Sequence, residues 1–473
     1  MKWFIHILTP LLLFVLPFAA SAGDLQDPHT MTFPPLKFKI PEAQRVVLEN
    51  GMIVYLMEDH ELPQVNITAI IGTGSVFEPE AKVGLAGLTG AVMLSGGTIS
   101  LSPEKMNDEL EFMASSIESS IGDDAGNVSM NSLTMNLDRT LRIFAQVLME
   151  PAFRDDKVEL ARRLTIETLR RQNDDPKGVA DRELAKAIYC GTPLGRMPTF
   201  ATVKAITRDD MVGFHKKYYH PNNVIMSVAG DFNSREMVAA LTQVFASWKR
   251  GPVEFPVIRE PVTEFSPEML HLQKDVNQSV IRMGHIGITK DNPDVYPIRV
   301  MDAILGSDGF NSRLMEEIRN NQGLAYNVES SFDIGRRYLG TFEAETETKA
   351  ETTAKTIGLM EEIIAGMTKQ PVTDQELALA KDSIINSFIF GFASTASAAS
   401  QKARLEYYHY PAGYLENYCD NIARVTKEDV LRVAKKYLHP KALKLVVVGD
   451  LKRFDKPLST FGKVEEIKSE KEE

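Results

Sequence analysis

The sequence predicts an α+β protein built from two homologous α/β-sandwich domains, each with an antiparallel-rich sheet packed on helices. Three features lead to this prediction: an internal repeat, the same succession of strand and helix patterns in both halves, and a proline-rich segment between them. The 473 residues are enough for two domains of roughly 200 residues. A hydrophobic fraction of 44% with 25% charged residues is typical of globular proteins.

The internal repeat comprises residues 206–231, ITRDDMVGFHKKYYHPNNVIMSVAGD, and 425–450, VTKEDVLRVAKKYLHPKALKLVVVGD. The offset is a constant 219 residues (426 − 207, for example), and 10 of the 26 positions are identical. Unrelated segments would share roughly one or two. Each copy predicts a Thr-capped helix with Asp three residues on, a His-Pro stop and an apolar strand that ends in Gly-Asp. A repeat this long indicates a duplicated domain.

The first half begins with a predicted hairpin, since Asn50-Gly51 lies between two β-prone runs. A third strand follows, and then alternating helical and strand patterns lead into the repeat unit. The further strands are expected at 64–72, 116–122 and 127–133, and the helices at 103–113, 138–149, 155–172 and 178–189.

Four prolines in residues 251–267 mark the interdomain linker, because this segment has neither helical nor strand periodicity. Beyond it the order recurs, with apolar strands within 270–285, a helix at 296–305 and the second repeat unit. The predicted boundaries are 46–250 for the first domain, 251–268 for the linker, 269–455 for the second domain and 456–473 for a charged, disordered tail.

The N-terminal segment 1–22 has the form of a cleaved secretory signal, with Lys2, a short apolar run and Ala20-Ser21-Ala22. An uncleaved anchor is the alternative. Residues 23–45 are proline-rich and predict an extended arm. We therefore expect export across an inner membrane, to the periplasm, with no stable membrane span after cleavage. The net charge of −11 argues against a nucleic-acid partner.

Residues 84–98, GLAGLTGAVMLSGGT, resemble the metal-binding helix of the pitrilysin/insulinase family of zinc peptidases. In that family the same frame holds His-x-x-Glu-His, with two zinc ligands and a general base. Here the corresponding positions are Gly87, Gly90 and Ala91, and Glu167 stands near the third-ligand position. No two histidines of the chain are spaced i, i+4. The resemblance thus implies a degenerate motif and no metal or cofactor bound by this chain.

The second half resembles the family's Arg/Tyr region, in GSDGFNSRLMEEIRNNQGLAYNVESSF. The resemblance implies that Arg319 and Tyr326, seven residues apart, assist the substrate carbonyl and its oxyanion. On the residues alone, an alternative stays open: Arg319 could pair with Glu316 or Glu317 on a surface helix, with Tyr326 a half-buried strand residue.

The resemblance implies a zinc-less, substrate-binding subunit of a heterodimeric zinc metallopeptidase, similar to one subunit of mitochondrial processing peptidase. Its partner would be a homologous chain that carries His-x-x-Glu-His and zinc, the substrate would be a peptide, and each chain would form half of a clamshell. The alternative is a non-catalytic structural or peptide-binding assembly protein of the same fold. A hydrolase with its own serine nucleophile is disfavoured, because the sequence has no Gly-x-Ser-x-Gly elbow.

Overall fold

The computed structural model describes residues 38–261 and 265–467 of the chain. They form two six-stranded mixed sheets with helices packed on them, which confirms the predicted fold class. The predicted signal segment and most of the predicted arm lie outside the described residues. No helix within the described ranges is long and apolar enough to cross a membrane.

The elements of the first half follow the order expected from the sequence. Its strands are β1 (Gln44–Val47), β2 (Ile53–Glu58), β3 (Gln64–Ile71), β4 (Ser116–Ile121), β5 (Gly126–Leu133) and β6 (Val224–Gly230). Its helices are α1 (Leu85–Ser95), α2 (Pro103–Phe112), α3 (Leu137–Met149), α4 (Asp155–Arg171), α5 (Pro176–Ile188), α6 (Phe200–Ala205), α7 (Arg208–Tyr218) and α8 (Ser234–Val244).

The second half repeats this pattern after an extended linker. Its strands are β7 (Glu268–Gln273), β8 (Gln278–Ile286), β9 (Ile288–Thr289), β10 (Ala325–Phe332), β11 (Ile334–Gly335), β12 (Thr341–Lys349), β13 (Lys444–Gly449) and β14 (Val464–Glu466). Its helices are α9 (Val295–Asp302), α10 (Thr353–Met367), α11 (Asp374–Ser387), α12 (Thr395–Tyr407), α13 (Tyr418–Ala423) and α14 (Lys427–Tyr437). Two π-helical segments, Ala303–Ser307 and Met315–Asn321, lie between α9 and β10.

In the described residues the two sheets share the order of five of their six strands, whereas the edge strands β1 and β14 differ, since β1 is antiparallel to β2 and β14 is parallel to β7. The first is β1-β2-β6-β3-β5-β4, and the second, taken from its opposite end, is β14-β7-β13-β8-β12-β10. In both sheets the strand of the repeat unit, β6 or β13, lies between one parallel and one antiparallel neighbour. The duplication seen in the sequence is therefore a duplication of sheet topology.

The repeat helices α7 and α14 coincide at the offset of 219 residues, since both ends of α7 map onto those of α14 (427 − 208 and 437 − 218). Thr207 and Asp210 form a capping box at the start of α7, and Thr426 and Asp429 form the same box on α14. In each box the side chains satisfy backbone N–H groups that the first helical turn leaves without partners. The capped helix predicted from the repeat is confirmed in both halves.

The central strands of each sheet are covered on both faces, and one of the two covering layers comes from the other half of the chain. Helix α5 of the first half packs on β8 and β13, whereas helix α12 of the second half packs on β2, β3 and β6. The two exchanged helices also correspond at the repeat offset, because 395 − 176 and 407 − 188 both equal 219. Among the described residues, three smaller core clusters therefore combine both halves, whereas the buried residues of the largest cluster on each sheet come from one half.

The predicted charged tail is wrong for the part that the structure describes. Strand β14 adds to the second sheet, where it pairs in parallel with β7. The Glu466 carboxylate also contacts the buried His271 ring at 2.9 Å. Residues 464–466 therefore belong to the second sheet.

Candidate functional site

Helix α1 carries the degenerate metal motif. Gly84, the residue just before the helix, has a left-handed backbone conformation with φ +104°. The buried carboxylate of Glu78 accepts hydrogen bonds from the backbone N–H groups of Gly84 and Ala86. These groups are among those that no residue within the helix can satisfy. Burial raises the pKa of Glu78 to about 7, against the opposing effect of these two hydrogen bonds. Glu78 thus anchors the start of the helix.

The motif positions of α1 divide between an open and a packed side. Gly87 and Ala91 are exposed, and a Cβ added to Gly87 would meet no atom within 4 Å. Gly90 instead faces β4, where an added Cβ would lie 2.9 Å from the backbone nitrogen of Ile121. Gly90 therefore permits close helix-to-strand packing, whereas no contact requires glycine at position 87.

These residues do not fit a zinc ion. Gly87, Gly90 and Ala91 have no donor side chains, and the Thr89 hydroxyl donates to the Leu85 carbonyl. Catalytic zinc sites require imidazole, thiolate or carboxylate ligands. Within the described residues there is also no group of three or more His, Cys, Asp or Glu side chains that could hold a metal.

Glu167, at the predicted third-ligand position, lies on the exposed surface of α4. Its carboxylate forms an i, i+3 ion pair with Arg170 on the same helix. An exposed pair of this kind contributes little to stability. The structure thus places Glu167 as a solvated helical residue.

Arg319 and Tyr326 meet in the second half, together with an aromatic residue that the sequence did not single out. The Arg319 guanidinium carbon lies 4.6 Å from the Phe310 ring centroid and 5.3 Å from that of Tyr326. Phe310 is 65% exposed and Tyr326 is 87% exposed. Cation–π attraction to two rings therefore positions the guanidinium at the surface. We call Phe310, Arg319 and Tyr326 the arginine sandwich.

The ion pair expected in the alternative interpretation of Arg319 is not found in the described parts of the chain. Glu316 accepts from the Asn320 amide, and Glu317 accepts from the amides of Asn321 and Gln322. None of the guanidinium N–H groups of Arg319 donates a hydrogen bond to a described residue. The edge of the guanidinium thus remains available to a ligand.

Local structure brings the members of the sandwich together. The chain turns at Gly309, where φ is +55°, so that Phe310 projects next to the helical segment that carries Arg319. Arg313, at the start of that segment, forms two hydrogen bonds of 2.6 and 3.0 Å with the Glu376 carboxylate of α11. Tyr326 follows on β10, an edge strand whose register with β12 shifts between Ala325 and Val328.

Phe310 and Glu78 are the site residues that sequence reasoning missed. A signal for Phe310 was present, since a large aromatic residue stands in the glycine-bearing turn SDGFNS just before the arginine. No comparable signal marked Glu78. Its role depends on the position of α1 relative to residues before the helix, and that position is set by packing.

Comparison with known proteins identifies the family. The sequence matches the description "Insulinase (Peptidase family M16)" over residues 53–200 and "Peptidase M16 inactive domain" over residues 205–384. The chain belongs to peptidase family M16. The sequence-based resemblance to the pitrilysin/insulinase zinc peptidases is thereby confirmed.

Relatives within M16 include proteins named as proteases and a protein named as a non-peptidase. The chain is 27% identical to an uncharacterized zinc protease of Mycobacterium leprae over 65% of this chain and 69% of that one. It is 24% identical to a "Non-peptidase homolog" of Helicobacter pylori over 84% and 91% of the two chains. A solved M16 inactive domain from Pseudomonas fluorescens superposes with a TM-score of 0.78 at 27% identity, covering 86% of this chain and 98% of that one. The chain is an M16 homologue of the inactive type.

Proposed function

We propose that this chain is the substrate-binding subunit of an exported heterodimeric zinc metallopeptidase that acts on peptides. The partner would be a homologous chain with His-x-x-Glu-His that holds the zinc. The observation that carries the proposal is the contrast between the two halves. The first has no ligating side chain at positions 87, 90 and 91, while the second presents an arginine that has no ion pair in the described residues.

The arginine sandwich is suited to binding a peptide carbonyl group. A guanidinium held between two rings keeps its N–H donors in a fixed plane and loses little further conformational entropy when it binds. Aimed at a carbonyl near a partner's zinc, Arg319 would stabilise the oxyanion that develops during hydrolysis, and the Tyr326 hydroxyl could donate a second hydrogen bond. Arg319 and Tyr326 would therefore be catalytic residues in trans.

The signal-like segment 1–22 supports export, and we propose the periplasm as the compartment. An N-terminal sequence of the mature protein, purified from the cell envelope of its own cells, would test this. A chain that begins near Gly23 is the expected result, and one that still begins at Met1 in the cytosol would contradict it.

The subunit proposal is tested by affinity purification of the native chain, followed by reconstitution. An M16 chain with His-x-x-Glu-His should co-purify, and only the pair should cleave peptides. Arg319→Ala should lower turnover by the pair about 10²-fold or more, as removal of an oxyanion donor does. Complex formation, measured by size-exclusion chromatography, should be unchanged. Arg142→Ala, on the exposed surface of α3, is the matched control and should retain full turnover.

A peptide-binding or structural assembly protein is the second candidate, favoured by the absence of zinc ligands at the motif positions. It predicts that the isolated chain binds peptides with the same affinity whether or not the partner is present. If no zinc-motif chain co-purifies, or if Arg319→Ala leaves turnover by the pair unchanged, the subunit proposal is wrong.

A further inference from the structure

Two adjoining cavities lie beside helix α12, and their lining residues include no member of the arginine sandwich and no position of the degenerate motif. One has a volume of about 530 Å³ and the other about 450 Å³. Gln401 and Tyr414 line both, so that the two cavities form a continuous groove. Volumes of this size are typical of sites for small organic ligands. We call this feature the α12 groove.

The larger cavity has a positive lining. Arg336 and Arg404 contribute guanidinium groups, Ser397 and Ser400 contribute hydroxyls, and no Asp or Glu side chain is among the lining residues. Neither arginine forms an ion pair with any residue in 38–261 or 265–467. The Arg336 guanidinium carbon lies 5.2 Å from the Tyr408 ring centroid, and the Tyr408 hydroxyl donates to the Asp124 carboxylate at 2.9 Å.

The smaller cavity adds a third guanidinium. Arg299 lies 5.9 Å from the Tyr418 ring centroid, and its buried Nε has no hydrogen-bond partner in the described residues. A buried donor without a partner costs free energy unless a ligand or water satisfies it.

The carboxylates of the smaller cavity are already engaged by other groups. Asp302 accepts from the Ser330 hydroxyl at 2.7 Å and from the Phe332 N–H at 2.9 Å, and Asp308 accepts from Ser383. Burial also raises the pKa of Asp302, which reduces its capacity to neutralise Arg299. These neutral donors do not cancel the charge of either carboxylate, so the candidate anion site lies in the larger cavity, whose lining has two arginines and no carboxylate.

We propose that the α12 groove binds the carboxylate of an organic anion, such as the C-terminal carboxylate of a short peptide. Arg336 and Arg404 would bind the carboxylate oxygens, since guanidinium groups match them in geometry and charge. The Tyr410 and Tyr414 rings would contact an apolar or aromatic group next to the carboxylate. The amide of Gln401 can both donate to and accept from a peptide group.

The proposal concerns a second site and requires neither zinc nor a partner chain. An inorganic phosphate could also bind two guanidinium groups, but it would leave the aromatic walls and the Gln401 amide without a contact. An organic carboxylate would contact the arginines, the tyrosine rings and the Gln401 amide. The two sources of an oxyanion can be separated by experiment.

The test is fluorescence anisotropy with the full chain and an N-terminally labelled pentapeptide that ends in Phe as the free acid. Saturable binding is expected, and the same peptide with a C-terminal amide should bind at least about tenfold more weakly, because the loss of a charge-assisted pair typically costs that much. Arg336→Gln and Arg404→Gln should each weaken binding of the free acid by about tenfold as well. Inorganic phosphate should compete only weakly.

Two variants act as controls. Arg142→Gln makes the same change in net charge on α3 and should leave binding of the probe unchanged. Arg319→Ala should leave the ratio of acid to amide affinity unchanged, because both probes carry the peptide carbonyls that Arg319 is proposed to bind, so that failure of this proposal is distinguishable from failure of the proposed peptidase role. Circular dichroism verifies that the groove variants remain folded. Equal binding of acid and amide, no loss in either groove variant, or phosphate binding as tight as that of the free acid would each overturn the proposal.

Discussion

The exchanged helices α5 and α12 occupy equivalent places in the two halves but pack with side chains of different size. Against the second sheet, α5 buries Val179 and Leu184. At the positions 219 residues later, α12 buries Ala398 and Ala403 against the first sheet. Small side chains let a helix lie close to a sheet, and large ones fill a wider gap. The duplicated fold thus conserves which helix crosses over, while the core volume under each helix has diverged.

Polar side chains of α12 also form hydrogen bonds with the first half. Glu406 accepts two hydrogen bonds from Arg45 of β1, at 2.8 and 2.7 Å, and the Tyr407 hydroxyl donates to the Asp124 carbonyl at 2.7 Å. The face of α12 turned away from the first sheet lines the groove that contains Arg404. Helix α5 also makes polar contacts with the second half, where Arg282 donates to Asp181 at 2.6 Å and Lys177 pairs with Glu347. The two exchanged helices therefore differ in the size of their buried side chains, and α12 in addition lies beside a cavity.

We expect the largest loss of stability from shortening a large buried side chain of α5. Leu184→Ala should lower the free energy of unfolding by about 2–5 kcal/mol, because Leu184 is 1% exposed and its loss leaves a cavity between α5 and the second sheet. Urea unfolding followed by circular dichroism measures this. Leu160→Ala on α4, where the side chain is 41% exposed, should cost much less. Equal losses for the two variants would mean that α5 does not contribute to the second core.

We expect the carboxylates of Glu78, at the start of α1, and Asp294, at the start of α9, to change the stability of the protein in opposite directions as pH rises. Burial raises the pKa of Glu78 to about 7 from 4.5, so Glu78 binds a proton more tightly in the folded state than in the unfolded chain. Its effect on stability is therefore unfavourable as pH rises from about 4.5 through 7. Asp294 behaves oppositely: burial would raise its pKa, but hydrogen bonds from Arg432, Tyr437 and Lys436 outweigh burial and lower it.

Glu78→Gln should consequently remove the decline in stability that accompanies a rise in pH from about 4.5 through 7. Relative to the wild type, the variant should gain on the order of 3 kcal/mol between pH 5 and pH 8, the equivalent of the shift in pKa. Urea unfolding at a series of pH values measures the gain. Asp294→Asn is the comparison and should lose stability at neutral pH, where the ion pairs of Asp294 are fully formed. A pH-independent difference between Glu78→Gln and the wild type would contradict the raised pKa.

Enlarging a side chain under α12 should have a smaller effect than the cavity under α5. Ala403→Leu introduces the side chain that α5 carries at the equivalent position, and Ala403 is fully buried, so the added atoms would have to displace its neighbours. We expect a loss of about 1–3 kcal/mol from overpacking, measured by urea unfolding. A neutral or stabilising result would show that the two exchanged helices lie at similar distances from their sheets.

The smallest effects are expected from the two glycines of α1, which should differ in sign. Gly90→Ala should destabilise the protein by about 1–2 kcal/mol, since its Cβ would press on the backbone of β4. Gly87→Ala should stabilise it by up to about 1 kcal/mol, because the position is open and alanine favours a helix. Thermal unfolding of the two variants measures both changes. A loss of stability in Gly87→Ala would indicate a contact that the structure does not contain.

Much of the fold could be predicted from the sequence because its signals are local. The Thr207 and Thr426 capping boxes, the Asn50-Gly51 turn and the apolar runs of β6 and β13 depend on neighbours within a few residues. The prediction of a tail from residue 456 was wrong because a short, charged edge strand such as β14 has no apolar pattern of its own. Its pairing depends on an open edge of β7.

The sequence by itself determined the duplication, the capped repeat helices and the absence of ligating side chains at positions 87, 90 and 91. These follow from residue identity and short spacings, which do not change when the chain folds. Only the tertiary structure decided the exchange of α5 and α12, the stacking of Arg319 between Phe310 and Tyr326, and the gathering of Arg336 and Arg404 in one groove. The helix exchange and the groove join residues far apart along the chain, and all three features depend on how whole elements pack against one another.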